Sequence, residues 1–223
     1  MGMPRSVLIT AESAEPLRGM LEAGGVRTVH VPLIALRPTA APPPQGTPEV
    51  VVITSAAVPR FLPGLSARIG TAQVVAVGEA TGAALVSVGV QPERVGHAGG
   101  ASVIAGLSDT QGMLWYIGAA EPSAGVLATL EDHIGPVARW SVYENRLPVA
   151  AAEELMRAGP VDLVTLTSAS AAVRYSALAG GSAAPVAVLG QPTAEAALSA
   201  GLTIAVQSAR PRLSALAEAV LGA

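Results

Sequence analysis

Short runs of aliphatic and β-branched residues alternate along the chain with longer stretches rich in alanine and leucine. The short runs predict buried strands and the longer stretches predict helices. The predicted strands are 6–10, 27–32, 50–54, 74–77, 113–117, 138–144, 161–165 and 186–189. The predicted helices are 13–23, a segment ending at 61, 79–88, 123–133, 150–158, a segment beginning at 168, 193–200 and 211–221. This alternation predicts an α/β fold with parallel sheets covered on both faces.

The chain also repeats itself at about half its length. Thr54-Ser55 returns as Thr167-Ser168 at an offset of 113 (167 − 54), and Gly78 returns as Gly190 at an offset of 112 (190 − 78). Solenoid repeats run only about 20–50 residues, so this spacing indicates two copies of a domain-sized unit. Two similar lobes that face each other would form a cleft, where we expect a ligand.

Extended, proline-containing segments occupy equivalent places in the two copies, at 31–38 and 141–148. They predict crossings between the lobes, with linkers near 33–38 and 141–148. The predicted lobe one is then discontinuous and consists of 1–36 plus 147–223, and lobe two is 37–146. The predicted fold class is therefore α/β, with two similar Rossmann-like or flavodoxin-like lobes joined by a two-stranded linker.

Composition narrows the function. The 223 residues carry a formal net charge of −3 and contain no cysteine. The absence of a basic run argues against nucleic-acid binding, and the absence of cysteine excludes disulfides, thiol nucleophiles and cysteine-ligated metals. The N-terminus lacks the pattern of a signal peptide, and no apolar stretch is long enough to span a membrane. We therefore expect a cytoplasmic protein with no membrane or nucleic-acid partner.

Two Thr-Ser pairs, Thr54-Ser55 and Thr167-Ser168, follow predicted strands and precede predicted helices. Hydroxyls and backbone N–H groups at a helix N-terminus can accept a carboxylate or a phosphate. Simple N-capping by Ser or Thr is the alternative interpretation. Recurrence of the pair in both copies favours a ligand site.

A second repeated motif places a glycine at a strand end and a threonine in the first helical turn: Gly78 with Thr81, and Gly190 with Thr193. Glycine there allows close approach of the backbone to a ligand. The chain lacks both the full G-x-G-x-x-G fingerprint and a P-loop, so we expect no nucleotide site.

Tyr143 lies beside Glu144 on one of the predicted crossing segments. A phenol can donate a hydrogen bond or act as a general acid; packing is the alternative role. The other aromatic residues near it in sequence are assigned to packing: Trp115, Tyr116 and Trp140.

The remaining polar residues give weaker signals. The histidines His30, His97 and His133 lack metal-ligand spacing, so no metal site is expected. Five arginines lie near predicted crossings or strand ends and are candidates for ligand contact: Arg37, Arg60, Arg139, Arg146 and Arg174.

In this order, the motifs resemble those of the uroporphyrinogen-III synthase family over nearly the whole chain. The resemblance implies two α/β lobes, the first discontinuous, joined by a two-stranded linker. It also implies cyclisation and dehydration of hydroxymethylbilane, with inversion of ring D, to give uroporphyrinogen III. No cofactor or metal is implied. A monomer is expected, with transient contacts to upstream or downstream tetrapyrrole enzymes.

The resemblance assigns roles residue by residue. The family's tyrosine falls on Tyr143, as the acid or hydroxyl anchor. The substrate-binding positions fall on Thr54, Ser55, Gly78, Thr81, Thr167, Ser168, Ser170, Gly190 and Thr193.

The chain departs from the family pattern at Ala11, Ala56 and Ala57, where many members carry basic or polar residues. Arg60 lies one helical turn beyond Ala56 and is a candidate replacement. The departures leave an alternative function, that of a weakly active or inactive synthase-fold protein that binds tetrapyrroles as a cytoplasmic regulatory module.

Overall fold

Two separate β-sheets organise the chain, one in each of two units. The computed structural model describes residues 2–96, 107, 112–122 and 126–223. The first unit comprises Met1–Ala35 and Arg146–Ala223, and the second comprises Leu36–Asn145. In chain order the strands are β1 (Ser6–Ile9), β2 (Arg27–His30), β3 (Ala35–Pro38), β4 (Val50–Ile53), β5 (Gln73–Ala76), β6 (Arg94–Val95), β7 (Leu114–Ala119), β8 (Ala138–Arg146), β9 (Leu163–Leu166), β10 (Val186–Val188) and β11 (Ile204–Gln207).

Helices connect most of these strands, as the alternating pattern predicts. In the described part of the chain they are α1 (Leu17–Ala23), α2 (Val58–Phe61), α3 (Leu65–Ile69), α4 (Glu79–Ser87), α5 (Val126–Ile134), α6 (Ala151–Ala158), α7 (Ala169–Ala179), α8 (Gln191–Ser199) and α9 (Leu213–Leu221). A 3₁₀ turn, Gly180–Ser182, follows α7. None of the helices among these residues combines the length and the apolar character that a membrane crossing requires.

The two sheets share one spatial order, which is the structural form of the sequence repeat. The first sheet runs β11-β10-β9-β1-β2 and the second runs β3-β8-β7-β4-β5-β6. If β9, β10 and β11 are matched to β4, β5 and β6, then β1 and β2 match β7 and β8. The pairings within these five-strand sets are parallel. When the five strands of each set are numbered by their order along the chain, the first sheet has the spatial order 2-1-3-4-5, which is the flavodoxin-like order. The second sheet has the spatial order 3-2-1-4-5, which is the start of the Rossmann order.

The predicted α/β class with two parallel sheets and a two-stranded connection is confirmed. Strands β3 and β8, which carry the chain out of the first unit and back to it, are neighbours in the second sheet. The backbone N–H of Thr39, just beyond β3, donates to the Val142 carbonyl at 3.1 Å.

Several element boundaries differ from prediction. Helix α1 begins at Leu17 rather than at 13, because Pro16 disfavours helical backbone in the residue before it. The short strands β6 and β11 and the five-residue helix α3 were not predicted. Their apolar runs are too brief to stand out from the surrounding alanine and glycine. The predicted start of the helix at 123 lies outside the described residues.

The second sheet is covered by apolar clusters on both faces. One cluster contains Ile53, Ile117 and Trp140, and the other contains Val52 and Tyr116. Neighbouring residues of a strand point to opposite faces, so Trp115 and Tyr116 belong to different clusters.

In the first unit, buried hydroxyls join the N-terminal segment to the C-terminal one. Thr10 Oγ1 donates to the Thr165 carbonyl at 2.7 Å, and Thr165 Oγ1 donates to the Leu8 carbonyl at 3.1 Å. At the other end of the same strands, the Asp162 carboxylate accepts from the backbone N–H and the hydroxyl of Ser6. These hydrogen bonds lower the pKa of Asp162. The β1–β9 pairing is therefore reinforced by side chains at both ends.

All three tyrosines of the chain are buried, with exposed fractions of 1% for Tyr116, 7% for Tyr143 and 3% for Tyr175. Burial raises the pKa of each phenol above 10.0 because the phenolate loses hydration. Hydrogen bonds to each phenol offset part of this effect. The phenols are therefore neutral hydrogen-bonding groups at neutral pH.

Thr165→Val tests the hydroxyl link between β1 and β9. The substitution keeps the shape of the side chain and removes one buried hydrogen bond, so we expect the free energy of unfolding to fall by about 0.5–1.5 kcal/mol. Urea denaturation measures the change. Thr203→Val, at an exposed position, is the control; equal losses in the two variants would contradict the role of the buried hydroxyl.

The raised phenol pKa values predict a loss of stability in alkali. Unfolded tyrosines ionise near a pH of about 10, before the folded ones, so tyrosine-linked stability is complete below that pH and falls as pH rises through the folded pKa values. Urea midpoints at a pH of about 8 and about 11 measure the fall. A spectrophotometric phenolate titration with its midpoint near 10 in the folded protein would refute it.

Candidate functional site

The polar residues predicted from sequence follow the carboxyl ends of parallel strands, where ligands of open α/β sheets bind. In the second unit Thr54 and Ser55 follow β4, and Gly78 follows its neighbour β5. The strand order of this sheet reverses between β4 and β7, because the chain continues to β5 on one side and returns through β7 on the other. Ligands of such sheets gather at this reversal, so the β4–β7 end is the candidate site.

Thr54 forms a hydrogen bond with a tyrosine of the adjacent strand. Its Oγ1 lies 3.1 Å from the hydroxyl of Tyr116 on β7. Burial raises the pKa of Tyr116, while the hydrogen bond with Thr54 lowers it in part. Proximity to Tyr143 raises this pKa further, and proximity to Arg139 lowers it. Neighbouring strands β4 and β7 thus bring two hydroxyls into contact.

Gly118 provides the space for this contact. A Cβ at this position would lie 2.5 Å from the Tyr116 hydroxyl and 3.0 Å from Thr54 Oγ1. Real Cβ atoms do not approach other atoms so closely, so any side chain here would displace the pair. The glycine at the end of β7 is therefore part of the site.

Ser55 forms the corresponding pair with Tyr143. A hydrogen bond from Ser55 lowers the pKa of Tyr143, but burial raises it more. Ser55 Oγ also accepts the backbone N–H of Ala57 at 3.1 Å. The consecutive residues of the Thr-Ser pair thus contact two different tyrosines.

The prediction that Thr54-Ser55 opens a helix directly is wrong. Helix α2 begins at Val58, its N-cap is Ala57, and it has only four residues. Ser55 instead makes a local turn, since its Oγ accepts from Ala57 and its carbonyl accepts from Val58. This strand end presents hydroxyls rather than a helix N-terminus.

An irregularity in β8 sets the direction of Tyr143. Ser141 pairs with Gly118, but Tyr143 rather than Val142 pairs with Ala119, so β8 has one extra residue here. Such a bulge re-aims the following side chain. Trp140, Val142 and Tyr143 consequently all join the same apolar cluster.

The ring of Tyr143 stacks on Phe61, with centroids 5.3 Å apart and planes 25° apart. The Arg60 guanidinium lies 4.9 Å from the Phe61 centroid. This distance is within the range of a cation–π contact. Arg60, the candidate replacement for the polar groups absent at Ala56 and Ala57, is thus connected to Tyr143 through one ring.

The Gly-x-x-Thr motif of this unit forms the start of α4. Gly78 is its N-cap, in extended conformation, with no side-chain cap hydrogen bond. Apart from its chain neighbours, no heavy atom of the described residues lies within 4 Å of a Cβ built on Gly78. Nothing described in the fold requires glycine here. Thr81 lies in the first turn, as predicted, but is only 4% exposed.

In the first unit the equivalent residues make different contacts. Ser168 is the N-cap of α7 and accepts the Ala171 backbone N–H at 3.2 Å. Its Oγ also lies 3.1 Å from Ser170 Oγ. Thr167 directly follows β9 and is half-buried. Here the predicted N-cap is correct, and we find no tyrosine contact in the described hydrogen bonds of the pair.

The second motif of the first unit repeats the geometry of α4. Gly190 is the extended N-cap of α8, again without a side-chain cap hydrogen bond. Thr193 lies in the first turn and is 5% exposed. In both glycine-led helices, the N-cap residue therefore makes no side-chain hydrogen bond to the first turn.

The candidate arginines divide by their contacts. Arg139 Nη2 donates to the Ala120 carbonyl at 3.1 Å, and Arg174 Nη1 donates to the Leu33 carbonyl at 2.8 Å. These two arginines hold backbone near a strand end or a crossing segment. Arg37 is exposed on β3, and Arg146 is exposed at the end of β8.

Histidine and carboxylate side chains give no sign of a metal centre. Among the described residues, no three histidine, aspartate or glutamate side chains form a potential metal site. His97 lies outside the described residues. His30 Nε2 lies 2.9 Å from the Ala11 carbonyl, which is a local backbone contact.

The structure therefore brings together Thr54, Ser55 and Tyr143, and it adds Tyr116, which was assigned to packing alone. In the sequence, its position two residues before Gly118, at the end of a strand, could have indicated a role in the site. The apolar residues around it indicate a core position instead.

Comparison with known proteins supports the family resemblance seen in the sequence. The family described as "Uroporphyrinogen-III synthase HemD" matches residues 15–218. A search of curated protein sequences gave no significant match.

Two solved structures share the fold. Uroporphyrinogen-III synthetase from Helicobacter pylori is 17% identical, with a TM-score of 0.69 over 98% of this chain and 99% of that one. A mutant uroporphyrinogen III synthase from the extremely thermophilic bacterium Thermus thermophilus is 16% identical, with a TM-score of 0.65 over 96% of each chain. The family match covers most of the sequence, and the chain therefore belongs to the uroporphyrinogen-III synthase family, a family of lyases.

Proposed function

We propose that this protein converts hydroxymethylbilane to uroporphyrinogen III. The observation that carries the proposal is the family match over 15–218, in a chain whose second unit places a hydroxyl-paired tyrosine beside a strand end typical of ligand sites. The predicted catalytic residue is Tyr143. The predicted substrate-binding residues of the same unit are Thr54, Ser55, Gly78 and Thr81.

The reaction needs little from the protein beyond orientation and one hydrogen-bond donor. The pyrrole nitrogen lone pair expels the terminal hydroxyl as water once a proton is supplied, which leaves an azafulvene cation. Attack by the substituted carbon of ring D gives a spiro intermediate, which fragments and recloses with loss of one proton. The net change is loss of one water. Held rings can supply much of the rate through proximity.

Tyr143 is suited to assist the departing hydroxyl. The Ala57 N–H donates to Ser55 Oγ, and a hydrogen bond between Ser55 and the Tyr143 phenol lowers the pKa of Tyr143 in part. In the arrangement in which Ser55 donates to the phenol oxygen, the phenol hydrogen can be donated to a ligand. Since burial raises the pKa of Tyr143, the phenol stays protonated at neutral pH and assists as a hydrogen-bond donor.

Each glycine-led helix is proposed to offer a carboxylate site within its own unit. Helices α4 and α8 each have nine residues and begin at Gly78 and Gly190 without a side-chain cap hydrogen bond. Their first-turn N–H groups and helix dipoles favour anions. At α7, where Ser168 already caps the helix, the proposed contacts are the hydroxyls of Thr167, Ser168 and Ser170. Arg60 is proposed to supply a charged contact in place of the polar groups that many family members carry at the positions of Ala56 and Ala57.

The isomer of the product tests the proposed function. Hydroxymethylbilane, generated in the assay by its upstream enzyme, closes uncatalysed to the type-I isomer, so we expect type III only when this protein is added. Chromatographic separation of the isomers measures the ratio. Type I alone, with protein that is folded by circular dichroism, would refute the synthase function. It would favour the alternative of a tetrapyrrole-binding relative.

Tyr143→Phe tests the donor. The phenylalanine keeps the stack on Phe61 but loses the hydroxyl, so we expect kcat for type-III formation to fall by about 10²-fold, the low end of the range for acid assistance, because the raised pKa limits full proton transfer.

Tyr175→Phe is the matched control. Tyr175 is a buried phenol on α7 of the first unit, and its oxygen accepts the Ala184 backbone N–H at 2.8 Å. Its loss should reduce stability but leave kcat unchanged. A Tyr143→Phe protein with the wild-type kcat would remove the catalytic role of Tyr143 while leaving the family membership intact.

A further inference from the structure

We propose that Tyr116 is a positioning residue that orients the Thr54 hydroxyl toward the substrate at the end of β4. The inference rests on the proposed function and adds a specific residue to it. Tyr116 itself is 1% exposed, so it acts through Thr54 rather than by touching the substrate.

The geometry restricts the hydroxyl contact to one arrangement. The Tyr116 ring is packed in a buried cluster with Val50, Val52 and Leu130, which fixes the position of its oxygen. That oxygen lies 3.1 Å from Thr54 Oγ1. Gly118 leaves just enough room, since a Cβ there would lie 2.5 Å from the phenol oxygen. The Thr54 hydroxyl is thus held by a group that cannot move easily.

Substrate binding would select one direction of this hydrogen bond. Either hydroxyl can donate in the 3.1 Å contact, since each carries one hydrogen and can also accept. An acceptor on the substrate would favour the arrangement in which Tyr116 donates to Thr54 Oγ1 and Thr54 donates to the substrate. The half-buried Thr54 would present that hydrogen to an acceptor such as a substrate carboxylate.

The first unit shows that packing does not require a phenol here. Val52 pairs with Tyr116, and its equivalent in the repeat, Thr165, pairs with Ile9. Ile9 is fully buried in the same architectural position. An aliphatic side chain therefore fills this place in one copy of the fold, which leaves the hydroxyl of Tyr116 to be explained by its contact with Thr54.

A double-mutant cycle tests the inference. Tyr116→Phe, Thr54→Val and the double variant are compared with the wild type by kcat and KM for type-III formation. Each single variant loses one hydrogen bond of ordinary strength, so we expect KM to rise about two- to tenfold with kcat little changed. The double variant should match Thr54→Val, because Tyr116 acts through Thr54.

Two further variants separate positioning from stability. Gly118→Ala leaves both hydroxyls present but pushes them apart, so it should also raise KM. Tyr175→Phe loses a buried phenol elsewhere and should leave KM unchanged. A wild-type KM in Tyr116→Phe, or multiplied effects in the double variant, would overturn the inference.

A binding measurement on the same variants tests the inference without relying on turnover. Binding of uroporphyrin III, the stable oxidised form of the product, is followed by quenching of the tryptophan fluorescence, and both tryptophans lie in the second unit. If the wild type forms no type-III product but binds this probe, the proposed synthase function fails, and a Kd unchanged by Tyr116→Phe overturns the positioning role as well. If Kd rises in Tyr116→Phe and not further in the double variant, the positioning role stands without catalysis. A wild type that neither reacts nor binds overturns both proposals.

Discussion

The register between β4 and β7 determines the chemistry of the second unit. Ile53 pairs with Ile117, so the next residue along β4, Thr54, comes beside Gly118, and the phenol of Tyr116 reaches its hydroxyl. A shift of one residue in β7 would move Tyr116 to the opposite face of the sheet. It would also bury Trp115 among the aliphatic residues that now surround the phenol. Apolar packing on both faces therefore fixes the position of the polar atoms at the end of the sheet.

The two copies of the fold use their hydroxyls differently. In the first unit, Thr10 and Thr165 donate to backbone carbonyls within the sheet, at positions that are fully buried. These bonds join residues that are 155 and 157 positions apart in sequence. In the second unit the strands β4 and β7 lie in one continuous segment, and the paired hydroxyls of Thr54 and Tyr116 stand at the strand end. In the discontinuous first unit, the Thr10 and Thr165 hydroxyls thus hold the two chain segments together.

The amount that sequence could predict depends on the range of the interaction. The repeat of Thr54-Ser55 as Thr167-Ser168 identified two equivalent strand ends, and Gly78 and Gly190 were predicted between a strand and a helix, because these features follow from local apolar runs and turn residues. The helix after Gly190 begins at Gln191 rather than at the predicted 193. The behaviour of Ser55 was not predictable in the same way. Its neighbours Ala56 and Ala57 permit either a helix or a turn, and the choice depends on where Val58 packs in the core.

Longer-range features left no local signal. The extra residue in β8 that directs Tyr143 is visible only against its partner strand, where Ala119 pairs with Tyr143 and skips Val142. The role of Tyr116 likewise depends on a glycine two residues away and a threonine on another strand. Its sequence context, between Trp115 and Ile117, is that of a core residue, and its ring is one. The structure shows that the ring packs in the core while the oxygen at its end contacts Thr54.

The use of neutral phenols suits a site for a polyanion. A charged side chain as deeply buried as Tyr116 or Tyr143 would lose hydration at a cost that a single hydrogen bond does not offset. A phenol loses much less, and its raised pKa keeps it a donor. An approaching carboxylate opposes ionisation of the phenols further, since a second negative charge nearby is unfavourable. Substrate binding would thus hold both tyrosines in the protonated form that the proposed reaction needs, while the positive charge of Arg60 is kept at the exposed side of Phe61.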